Sequence, residues 1–121
     1  MQSIMALAET DYRRAAIDAG TASEIALASA IRELLQAKGL NEEFIDQAIR
    51  RANGLEGLFT EYLSLGNPSP VSRNVPVSRN TVINQLAHVR NGTAHAGRVP
   101  TAEEAIRAVE LAHSLVIAVH P

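Results

Sequence analysis

Residues 15–35 read AAIDAGTASEIALASAIRELL, and this stretch decides the fold class. Ile17, Thr21, Glu24, Ala28, Ile31 and Leu35 recur at intervals of three and four, with Leu27 and Leu34 beside them, which is the period of an α-helix with one apolar face. The pattern predicts a long helix from about Ser3 to Ala37. Gly20 weakens it by about 1 kcal/mol relative to Ala without breaking it.

Outward from that helix the chain is punctuated by capping signals. Gly39 predicts its end and Asn41 the cap of the next helix, with Glu42 and Glu43 well placed in the first turn. The following segment, Glu42 to Leu65, is interrupted at Asn53-Gly54, which predicts two short helices or one kinked helix. Residues 66–79, GNPSPVSRNVPVSR, hold three prolines and a near-repeat of PVSRN, and predict a loop. A further helix is expected from Asn80 or Thr81, turning Val82, Ile83, Leu86 and Val89 inward. Thr101 and Glu104 form a capping-box pair that starts a last helix, ending near Val119, with Pro100 just outside it. No stretch alternates convincingly with period two. The expectation is an all-α protein, an antiparallel bundle of four or five helices in one domain spanning residues 1–121.

Composition supports this reading and removes several functions. The 121 residues are 46% hydrophobic but only 3% aromatic, so Ala, Leu, Ile and Val carry the core, as helices favour. With no Cys there is no zinc finger, iron–sulfur cluster, thiol nucleophile or disulfide. No run of 18 apolar residues exists, and charges enter MQSIMALAETDYRR too early for a signal peptide, so the expectation is a cytoplasmic chain with no membrane partner. Ten of the eleven basic side chains are Arg, a bias that suits phosphate or carboxylate recognition and that a GC-rich genome also produces. Residues 62–102 hold Arg73, Arg79, Arg90, Arg98 and two His but no carboxylate, whereas the net charge is −2. The middle of the chain is locally positive.

Chemistry concentrates in the same segment. His88 and His95 are seven apart, as are His113 and His120, about 10.5 Å on a helix and too far for one metal ion, so neither a metal site nor a cofactor is expected. His113 and His120 read as packing residues with a polar tip at the margin of the last helix's apolar stripe. His95 differs because it ends the string Arg90-Asn91-Gly92-Thr93-Ala94-His95. An Arg and a His five residues apart can converge on one phosphate, the guanidinium binding nonbridging oxygens while the imidazole moves a proton. On a helical wheel Glu24 falls at the centre of the first helix's apolar face and Arg90 within the apolar arc of its own helix. Either these two charges pair, or both faces are broad and the side chains reach solvent.

The long first helix carrying AAIDAGTASEIALASAI, the Gly/Pro loop and RNGTAH before a capped last helix resemble a HEPN domain (higher eukaryotes and prokaryotes nucleotide-binding). The resemblance covers nearly the whole chain, and its specific part is the RNxxxH string. It implies a metal-independent endoribonuclease in which two copies of the motif meet at a homodimer interface, with Arg90 and His95 as the catalytic pair and Asn91 as a supporting polar residue. Gly92 and Ala94 depart from the bulkier residues often found between them. Some such domains serve only as dimerisation or nucleotide- or RNA-binding modules, the alternative expectation here. On the leading reading the partner is RNA, cleaved through a 2′,3′-cyclic phosphate and held also by Arg73, Arg79 and Arg98. Glu24 would orient Arg90. The wider setting is a toxin or defence effector with an antitoxin or larger-protein partner.

Overall fold

The computed structural model describes residues 4–52, 54–66, 71–72, 75–76, 83–95, 97 and 99–119. Among these, five α-helices make an all-α bundle: α1 (Ile4–Ala37), α2 (Glu42–Ala52), α3 (Gly54–Ser64), α4 (His88–His95) and α5 (Ala102–Val119). A two-residue antiparallel ladder, β1 (Val71–Ser72) with β2 (Val75–Pro76), lies within the Pro-rich stretch and pairs Val71 with Pro76 and Ser72 with Val75. Too short to show a period of two, it is invisible to a pattern search.

The capping signals act as read. After Ala37 the Leu40 amide donates to the Leu35 carbonyl at 3.2 Å and the Gly39 amide to Gln36 at 2.9 Å, the paired bonds of a Schellman stop. Gly39 supplies the positive φ of 83° that this stop requires. Asn41 Oδ1 then accepts from the Phe44 amide at 2.8 Å. Across this corner the Arg32 guanidinium forks onto Glu42 and Asp46, at 2.5 Å each, and Gln36 donates to the second Glu42 oxygen at 2.7 Å. At α5 the capping box closes in both directions, Thr101 amide to Glu104 Oε1 and Glu104 amide to Thr101 Oγ1, each 3.1 Å.

Where α3 begins, the Ala52 carbonyl oxygen passes over Gly57. A β-carbon built there would lie 1.3 Å from that oxygen, so only hydrogen fits. From this corner α3 turns Leu55, Leu58, Phe59 and Tyr62 inward at helical spacing.

α1 packs against every other helix, most extensively against α5. The two run parallel: Asp11 and Ala15 share a groove with Ala105 and Glu110, while Ala22 and Glu33 share the next with Val116. The face α1 buries is rotated from the expected one. Of the expected face, Ile31, Leu35 and the flanking Leu27 are buried, but so are Ala16, Ala19, Ser23, Ala26 and Ala30, whereas Ile17, Thr21, Glu24 and Ala28 are half-buried. The shift is about one residue, or ~100° around the helix. Small side chains let neighbouring helices approach closely, and Ser23 joins them because its hydroxyl donates to the Ala19 carbonyl at 2.8 Å. Weighting the wheel by hydrophobic bulk therefore finds the C-terminal part of the face and misses the alanines that centre it.

The expected start at Asn80 or Thr81 lies outside the described residues, as does Val82. Ile83–Ala87 form a π-helical turn that feeds α4, with Leu86, Ala87 and Val89 buried. His113 is exposed, not packed, because the inner face of α5 is taken by Ala105, Ala108, Leu111, Ala112, Leu115 and Val119. His120 lies outside the described residues. Among those described, no helix is long and apolar enough to cross a membrane.

Phe59 is fully buried in a hydrophobic cluster to which α1, α2, α3, α5 and the π-helical turn all contribute. Phe59→Ala is expected to lower unfolding free energy by about 3–5 kcal/mol, read from urea denaturation. The Arg32 hydrogen bond holds the Asp46 carboxyl below its ordinary range. A depressed carboxylate pKa stabilises the fold above its unfolded value, and the contribution is lost as pH falls through the lower folded value. Asp46→Asn should therefore flatten the loss of stability below about pH 4, measured by urea titrations across a pH series.

Candidate functional site

The RNGTAH string is helical throughout. α4 is eight residues long, HVRNGTAH, so Arg90, Asn91 and His95 belong to one short helix and His95 is its last residue. On α-helical geometry the Arg90 and His95 positions are about 7.5 Å apart along the axis and about 140° apart around it. The side chains of Arg90, Asn91 and His95 lie outside the described residues, as do Arg73, Arg79 and Arg98 altogether.

Two buried contacts set the position of α4. Val89, between His88 and Arg90, is 5% exposed, and Thr93, at the centre of the string, is also 5% exposed. With α4 packed on α1 and on the preceding π-helical turn, these two residues fix which side of the helix is inward. The Thr93 hydroxyl is buried yet finds no hydrogen-bond partner among the described residues. A threonine inside a helix usually donates back to the carbonyl four residues earlier, and a buried hydroxyl without a partner costs about 1–3 kcal/mol.

The far end of α4 is tied to α1 by an arginine. Arg13 of α1 donates from Nη2 to the Gly97 carbonyl oxygen at 3.2 Å, across 84 positions of chain. Gly97 follows His95 by two residues, so this bond holds the exit of the motif helix against α1. Nothing in the sequence marks a lone arginine as the partner of a distant backbone carbonyl.

Glu24 lies on α1, half-buried, rather than at the centre of the buried face. It has an interaction partner of its own. A Glu24–Arg90 pair involves the Arg90 side chain and so falls outside the described residues.

A small cleft of about 120 Å³ opens beside the start of α4, lined by Asn84, Gln85, Val89, Glu104 and Arg107. Its charges are already engaged: Glu104 closes the cap of α5, and Arg107 pairs with Glu103 one turn back. Among the described residues no three His, Asp or Glu side chains gather as a metal site would require. No protein-family model, curated protein or solved structure matches the chain.

Thr93→Val keeps the shape of the side chain and removes the unpaired hydroxyl. The variant should be as stable as the parent or more so, with an unchanged or higher thermal midpoint. A clear fall would show that the hydroxyl is hydrogen-bonded in solution.

Proposed function

We propose that the chain is a metal-independent endoribonuclease of HEPN type, acting as a homodimer with one copy of the Arg90–His95 motif from each protomer. The observation that carries this reading is that Arg90, Asn91 and His95 share one short helix packed on α1, whose Arg13 also bonds Gly97 just past its end.

The chemistry follows from the residue types. An imidazole near neutrality takes the proton from a ribose 2′-hydroxyl, and the oxygen so freed attacks the adjacent phosphorus. Arg90 stabilises the charge that grows on the nonbridging oxygens of the phosphorane. The bond to the 5′-oxygen then breaks, a second imidazole returns a proton to that oxygen, and the products are a 2′,3′-cyclic phosphate and a 5′-hydroxyl. One motif supplies a single imidazole, whereas a two-fold axis supplies base and acid together. Asn91 would support the phosphate contacts, Glu24 would fix the direction of Arg90, and Arg73, Arg79 and Arg98 would hold the RNA backbone in the carboxylate-free segment. Low aromatic content fits recognition of the backbone rather than stacking on bases. Such an enzyme suits a cytoplasmic toxin or defence effector restrained by an antitoxin.

Mixed RNA incubated with the full chain in EDTA tests the reading. Cleavage is expected to leave cyclic phosphate ends and to fall at least ~100-fold in Arg90→Ala and in His95→Ala, with helical content unchanged. Activity that needs an added divalent ion, or that survives both substitutions, would overturn the mechanism. A folded parent chain without activity would make it a binding module.

A further inference from the structure

The outer side of the α1–α5 pair carries apolar surface that α4 does not touch. Two grooves follow the seam between these helices. One, about 310 Å³, is walled by Tyr12, Ala15, Ile106 and Val109 with Asp11 and Glu110 among its lining residues. The next, about 540 Å³, is walled by Ala22, Ile25, Ser29 and Val116 with Glu33. Ile25 is 65% exposed, Ile106 57% and Val109 47%, although each would gain from burial. Along α1 the small residues Ala15, Ala22 and Ser29 recur every seven positions, and along α5 Val109 and Val116 do the same. A heptad on each of two parallel helices leaves a furrow that a third helix can fill.

The charge of this furrow selects the occupant. Among the described residues every charged side chain lining either groove is a carboxylate: Asp11, Glu33 and Glu110, the last of which already has a partner within the chain. A second copy of the chain docked symmetrically through the same furrow would set carboxylates against carboxylates, which is unfavourable. An anionic membrane would be repelled in the same way. An amphipathic helix with apolar residues in heptads and Lys or Arg flanking them matches both the furrow and its rims. Between Ala105 and Val116, the α5 residues that line it, the furrow runs about 16 Å, room for about three helical turns.

We propose that the α1–α5 furrow is a docking site for a basic amphipathic helix of a partner protein. This inference stands apart from the nuclease reading, since no residue of α4 takes part in it.

The test uses the full chain and two labelled synthetic helices, each with leucine in heptads, one flanked by lysine and its twin by glutamate. In fluorescence anisotropy the lysine helix should bind at least ~10-fold more tightly than its twin, and more weakly as salt rises. Ile106→Glu and Val109→Glu change exposed positions and should each weaken binding about 10-fold or more, with the circular dichroism spectrum unchanged. The combined variant Asp11→Lys, Glu33→Lys, Glu110→Lys should reverse the preference between the twins. Equal binding of the twins, no binding of either, or a furrow variant that binds like the parent would overturn the proposal. So would a parent dimer that Ile106→Glu converts to monomer, because the furrow would then be an interface between copies of this chain.

Discussion

The close approach of the other helices to one face of α1 is the constraint on which the rest of the bundle depends. Ala16, Ala19, Ser23, Ala26 and Ala30 are buried on that face, and their small volume sets how near α3, α4 and α5 can come. Bulk is supplied from the partners and from the sides of the same face by Leu27, Ile31, Phe59, Leu86 and Leu115, all fully buried. This division explains how a chain with 3% aromatic residues builds a dense interior. One central helix of small residues lets a few large side chains from its neighbours interlock across it.

Local chemistry made much of the fold legible in the sequence. The Gly39 stop, the Asn41 cap, the break at Asn53-Gly54 and the Thr101–Glu104 box each depend on residues within a few positions of one another, so their meaning survives without tertiary context. What failed to show depends on distance. The direction of α1 is set by what packs against it, and its sequence has enough apolar residues on two sides to support either rotation. His113 looked apolar by position but stands on the outer side of α5, where Ile106, Val109 and Ile117 are exposed too. A second apolar stripe and a core stripe read alike until the neighbours are known.

The candidate site divides in the same manner. RNGTAH is recognisable as a string because its spacing is local, and its helical state follows from that locality. Arg13 and Thr93 carry no such signal: one matters only through a carbonyl far along the chain, the other only because it is buried without a partner. The wheel placed Glu24 too deep because the centre of the buried face lies among the alanines beside it. The site reading thus rests on a string the sequence states openly and on supports visible only in three dimensions.

The π-helical turn at Ile83–Ala87 gives the motif helix a freedom of phase. A π-turn is an α-helix that has absorbed one extra residue, and the excess is taken up locally instead of rotating everything downstream. α4 can therefore keep Val89 and Thr93 against the interior whatever face the preceding residues prefer. The angular setting of the helix that carries Arg90 and His95 is therefore fixed by its packing on α1 and on this turn.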